Sequence, residues 1–134
     1  MIVVDTSILI DFFRGRGTPG GEQLRRLERD EIPFAIPAVC CQELLAGARD
    51  ESEWRLLLTS LETQHLLMPE DPWRTHREAA RIMFDARRAG IRIRGSVQCF
   101  IAQLVLEYAG TLLHSDADFE RIKAVRPLRT LAQG

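Results

Sequence analysis

Three acids far apart in the chain, Asp5, Glu43 and Asp116, are the side chains best suited to act together. Carboxylates brought close repel and raise one another's pKa, so a cluster of them ordinarily serves to hold a hard cation with oxygen ligands, Mg²⁺ or Mn²⁺. Such an ion polarises a phosphodiester, lowers the pKa of a bound water so that it attacks, and neutralises the leaving oxygen. The reaction expected is phosphodiester hydrolysis by metal-activated water. Each acid also has an ordinary explanation. Asp5 can cap a helix, Glu43 can lie on a solvated helix face, and Asp116 and Asp118 in HSDADF can be turn acids. Convergence on one rim is what separates the two readings.

The elements that must position these residues alternate in type. Met1 to Val4 is a short β-branched run suited to a strand buried on both faces, and Asp5 closes it. Thr6 or Ser7 can cap a short helix through Leu9, Phe12 and Phe13, which the glycines and proline of residues 15–21 end in a loop. Glu22 to Arg29 reads as a helix, Pro33 to Ile36 as a second buried strand bounded by Pro37, and the residues from Ala38 as a helix that projects Glu43. Glu51 to Glu62 is helical by the spacing of Trp54, Leu57, Leu58 and Leu61, and His65 to Met68 is a third strand. Asp71 and Pro72 start the longest helix, which stops at Gly90. Ser96 caps the most regular helix, with apolar residues from Val97 to Tyr108 at helical spacing and an end at Gly110. Thr111 to His114 is a fourth strand, Asp118 to Ala124 a short helix, and Val125 to Leu131 a weak last strand. This order predicts a three-layer α/β/α sandwich on a mostly parallel sheet. Ligands of such sheets bind at the carboxyl ends of the strands, where Asp5, Glu43, Gln98 and Asp116 should face one rim.

Length and composition, 134 residues with 46% hydrophobic, suit one domain spanning residues 1–134. A formal charge of −1 excludes a globally basic nucleic-acid binder, so a polyanionic partner must be held locally or through metal. Arg14 and Arg16, and the cluster Arg87, Arg88, Arg92 and Arg94, should approach the acidic rim and are candidates for phosphate contacts, Arg14, Arg92 and Arg94 foremost. The three cysteines, Cys40, Cys41 and Cys99, lack metal or redox spacing and read as reduced thiols of a cytoplasmic protein. Asp5 and Asp11 interrupt the apolar amino terminus, which reads as neither a signal peptide nor a membrane span.

Other motifs carry less. His65, His76 and His114 read as structural, and GRGTPGG lacks the features of a phosphate-binding loop. Trp54, Leu57, Leu58 and Leu61 read as core or subunit contact, and no interleaving of aromatic and basic residues like that of an RNA-recognition module is seen. Phosphotransfer on a receiver-like or dehalogenase-like domain needs acid pairs and a later lysine that DTS and the single Lys123 do not supply.

Across nearly the whole chain the segments VVDTSILIDFF, PAVCCQELLAGA and GSVQCFIAQLVLEYAGTLLHSDADFERI, in this order and spacing, resemble PIN-domain ribonucleases, and more closely the VapC-type toxins of bacterial toxin–antitoxin pairs. The resemblance implies a Mg²⁺- or Mn²⁺-dependent endoribonuclease with Asp5, Glu43 and Asp116 as metal-site acids. It implies that Thr6 or Ser7 orients Asp5 or touches RNA, and that Asp118 is an accessory acid. Its partners would be a VapB-type antitoxin and a second copy of the chain. The family pattern has an aspartate where this sequence has Gln98. A glutamine offers a metal one neutral carbonyl oxygen and adds an NH₂ donor that repels a cation. The expectation is a retained fold with weakened cleavage, and the alternative is an inactive PIN-fold module that engages antitoxin or RNA without cutting it.

Overall fold

In the computed structural model, which describes residues 1–131, the sheet is built outward from its first strand. β1 (Ile2–Val4) lies between β2 (Phe34–Pro37) and β4 (Thr111–Leu113), and β3 (His65–Leu67) flanks β2. All three pairings are parallel, with Ile2 opposite both Phe34 and Thr111. A strand hydrogen-bonded on both edges and covered on both faces must be apolar throughout, and Val3 and Val4 are fully buried.

The connections are helical: α1 (Thr6–Phe13) and α2 (Pro19–Arg29) lead to β2, α3 (Ala38–Ala46) and α4 (Glu51–Glu62) to β3, and α5 (Pro72–Arg88) and α6 (Ser96–Glu107) to β4. A last short helix, α7 (Ala117–Ile122), follows β4. The helices cover both faces of the sheet, which is the expected three-layer sandwich. The chain moves from β1 to β2 and β3 on one side, then crosses back to place β4 on the other. The order therefore reverses between β1 and β4, and at such a switch point the connecting loops diverge and leave a crevice beyond the strand ends. Asp5 follows β1 there, and Asp116 lies three residues beyond β4.

Several local expectations are corrected. Residues 19–21 are helix rather than loop: Thr18 caps α2 through the Gly21 N–H at 3.2 Å, with Pro19 in the first turn. A Cβ at Gly21 would be tightly placed, 3.1 Å from Thr18 Oγ1 and 3.3 Å from the Arg16 carbonyl. Ser96 does not cap α6; Gly95 occupies that position without a side-chain bond. The left-handed residue that ends α6 is Ala109 (φ 51°), not Gly110. Gly110 is instead close to β1, where a Cβ would lie 3.1 Å from Val3. The weak last strand reduces to one parallel bridge, Thr130 to Leu112.

Candidate functional site

Asp5 directly follows β1 and caps α1, so the cap is neither Thr6 nor Ser7, which lie within the helix. The Asp5 Oδ2 accepts the Ser7 N–H at 3.0 Å and the Ser7 hydroxyl at 2.6 Å. The same Ser7 Oγ accepts the Ser115 N–H at 3.0 Å, so one hydroxyl ties Asp5 to the loop after β4. The capping and clustering readings of Asp5 are thus compatible. The carboxylate is only 4% exposed. Burial pushes its pKa above the ordinary aspartate value and the charge of Asp116 adds to the rise, while the bonds from Ser7 oppose it. Among the described residues, Asp5, Glu43 and Asp116 take part in none of the ion pairs.

Glu43 reaches the same region from α3, where its Oε1 accepts the Thr6 hydroxyl at 2.8 Å. Thr6 and Ser7, adjacent in α1, therefore hold different acids. Cys40, one helical turn before Glu43, lies with its Sγ 3.8 Å from Asp5 Oδ1. Burial and the Asp5 charge push this thiol far up, and burial raises Cys99 to about 11, so both are protonated, unreactive core groups.

Asp116 caps α7. Its Oδ1 accepts the Asp118 N–H at 2.9 Å and its Oδ2 accepts the Gln98 amide at 3.1 Å. The amide thus supplies a neutral donor to an acid that an aspartate at this position would repel. Gly95 makes room for it, since a Cβ there would fall on Gln98 Oε1. The Asp116 N–H donates to His114 Nδ1 at 3.0 Å, which requires that nitrogen to be unprotonated, and burial lowers the His114 pKa in the same sense. His114, packed on Phe119 at 4.9 Å between centroids, supports the acidic loop structurally.

Asp118 turns away from solvent, 3% exposed, and accepts the Arg94 and Gly95 N–H groups at 3.1 Å and Arg121 Nη1 at 3.0 Å. It clamps the loop that starts α6, and through that helix it sets the position of Gln98. The arginines are less convergent than expected. Arg14 shares a cleft of about 240 Å³ with Glu43 but donates to the Gly47 carbonyl at 3.4 Å. Arg16 pairs with Asp11 at 3.2 Å. Arg92 borders a different depression with Met83 and Arg87, and Arg94 meets Asp118 through its backbone. Cys40 and Gly95 are neighbours of the acids that the sequence reading missed, Cys40 being legible as the residue three before Glu43, whereas His114 has the structural role expected of it.

The pattern of a PIN domain matches residues 2–125. This chain belongs to the PIN-domain family. It is homologous to the VapC-type toxins: Ribonuclease VapC11 of Mycobacterium tuberculosis is 33% identical over 130 residues, covering 96% of each chain. Two solved structures share the PIN fold. VapBC-1 from nontypeable Haemophilus influenzae superposes with a TM-score of 0.73 at 21% identity, covering 99% of this chain and 98% of that one. FitAcB from Neisseria gonorrhoeae superposes with a TM-score of 0.71 at 15% identity, covering 99% and 98%.

As a donor set for a divalent ion, Asp5, Glu43 and Asp116 fit in kind: they offer carboxylate oxygens, and none of the three is in an ion pair among the described residues. They do not close around a common point. Among the described residues no group of three or more Asp, Glu, His or Cys side chains is placed to hold an ion. Each acid is instead drawn to a local donor, Asp5 to Ser7, Glu43 to Thr6, and Asp116 to Gln98 and the Asp118 N–H. No helix among the described residues is long and apolar enough to cross a membrane.

Proposed function

We propose that this PIN-domain protein is a Mg²⁺- or Mn²⁺-dependent endoribonuclease of a toxin–antitoxin pair, attenuated by Gln98. The observation that carries this reading is the buried Asp5 carboxylate, raised by burial and by Asp116, with no ion pair to relieve it. Asp5, Glu43 and Asp116 are the residues that would hold the ion, which when bound polarises an RNA phosphodiester and activates water. Ser7 fixes Asp5 and Thr6 fixes Glu43, so both hydroxyls set the spacing of the acids and lie where RNA would meet them. Arg14, Arg92 and Arg94 are assigned to backbone phosphates, and Asp118 acts by holding the loop before α6. Three buried free cysteines suit a reducing compartment, and the cytoplasm is the proposed location. By analogy with VapBC-1, a VapB-type antitoxin is the proposed protein partner, and a homodimer the proposed assembly.

Attenuation follows from charge. A unit charge about 4 Å from another is worth on the order of 1 to 4 kcal/mol between bulk-water and protein-surface dielectrics. Replacing an expected aspartate by an amide therefore weakens metal affinity by about tenfold or more. Cleavage of a labelled RNA, with Mg²⁺ or Mn²⁺ varied, tests this directly. Gln98→Asp is expected to cleave at lower metal concentration and faster than the parent chain. Equal, robust rates would remove the attenuation, and no cleavage by either protein would remove the nuclease reading. The Gln98 to Asp116 bond favours one second reading, an inactive module that engages antitoxin or RNA; binding without turnover in both proteins is its signature.

A further inference from the structure

The outer face of α5 carries an aromatic and basic stripe that the acidic site does not use. At 3.6 residues per turn, Trp73, Phe84, Arg77 and Arg88 fall within an arc of about 60°. Thr75, Ala79, Ile82 and Ala86 bury the opposite face. Trp73 is 70% exposed and Phe84 42%. Their spacing of 11 residues hides this pairing of aromatic and basic residues in the linear sequence.

The arginines of this face are in part preordered. The guanidinium carbons of Arg81 and Arg88 lie over the Phe84 ring, 4.8 and 5.7 Å from its centroid. Two acids face the same surface. Glu78 meets Arg77 at 3.4 Å, and Asp85 is shared between Arg81 and Arg126 at 2.9 Å each. From Arg74 to Arg94 the chain nevertheless places seven of its 18 basic residues against only two of its 19 acids. A chain of net charge −1 has thus concentrated positive charge on one helix and the loop after it.

The stripe also has a direction. Thr75, in the first turn of α5, donates to Glu107 at the end of α6 at 2.7 Å, so the two helices run antiparallel. The far end of α5 consequently approaches the start of α6, where Asp118 binds the Arg94 and Gly95 N–H groups. The rise from Trp73 to Arg88 is about 22 Å, room for several extended nucleotides.

We propose that the Trp73, Arg77, Phe84 and Arg88 face of α5 is a track for single-stranded RNA that leads the strand to the acidic rim. Arginines neutralise successive phosphates, and the open indole stacks on an unpaired base. This rests on the reading of RNA as the ligand and extends it to a surface remote from the acids.

Fluorescence anisotropy with a short, unstructured, fluorescein-labelled RNA in EDTA measures the track without cleavage. Trp73→Ala is expected to weaken binding about tenfold, the scale of one lost base–aromatic stack. Arg77→Gln combined with Arg88→Gln is expected to flatten the dependence of log affinity on log salt by about 1.4. In a Trp54→Phe background, RNA should quench Trp73 emission. Absent binding by the parent chain, unchanged affinity and slope in the variants, or a Trp73→Ala effect on self-association alone would overturn the track. The reading of the acids fails separately. If Gln98→Asp does not cleave while the α5 variants lose binding, the track stands without the nuclease; if it cleaves and the α5 variants bind normally, the nuclease stands without the track.

Discussion

The acidic rim and the outer face of α5 concentrate charge of opposite sign in opposite ways. At the rim, Asp5 is buried, has no cationic partner and depends on hydroxyl and amide donors. On α5 the arginines stay in solvent, spread along a helix and steadied by a ring or a carboxylate. Buried charge without an ion pair costs stability, because burial disfavours the ionised form, whereas exposed charge costs little. Stability has been given up at the rim, where a carboxylate is buried without a cationic partner, and not on the solvent-exposed face of α5.

The largest expected loss on the rim side is at Asp118. Asp118→Ala removes the acceptor of two backbone N–H groups and of Arg121, and thermal or denaturant unfolding should show a loss of about 3 kcal/mol. A loss below about 0.5 kcal/mol would show that the loop before α6 does not need its clamp. Ser7→Ala breaks the link between Asp5 and Ser115 and should cost about 1 to 2 kcal/mol. Asp5→Asn should have the opposite sign and stabilise the fold by about 1 kcal/mol at neutral pH, as the relief of a functional strain does. Because the carboxyl is raised, the native state holds this proton more firmly than the unfolded chain. Asp5 therefore costs stability above its folded pKa, and the advantage of Asp5→Asn should shrink as pH falls through that value toward the ordinary one near 3.8. An advantage that grows on acidification would break the contrast. The smallest effect belongs to α5: Trp73→Ala and Arg77→Gln should each change unfolding free energy by under about 0.5 kcal/mol.

Much of the scaffold was legible because its signals are local. The β-branched run before Asp5, the Asp71–Pro72 start of α5 and the regular apolar spacing of α6 each act within one or two turns. Local signals failed where a contact from elsewhere decided. Gly110 reads as a helix stop, yet it answers to Val3 across the sheet, and Ala109 takes the left-handed turn. Residues 19–21 look like loop until Thr18 caps them. At the site, strand order was enough to bring Asp5 and Asp116 to one switch point. The bond from Gln98 to Asp116 and the clamp at Asp118 join residues 18 and 24 apart in sequence, and no spacing rule encodes them.

Gln98 is proposed to occupy, as a neutral donor, a place where an acid would strengthen cation binding. Calorimetric titration of Mn²⁺ into the parent chain and Gln98→Asp tests it most directly. At least about tenfold tighter binding by Gln98→Asp, lost again when Asp5→Asn is added, is the predicted result. Equal affinity in the two proteins, or tighter binding that survives Asp5→Asn, would contradict it.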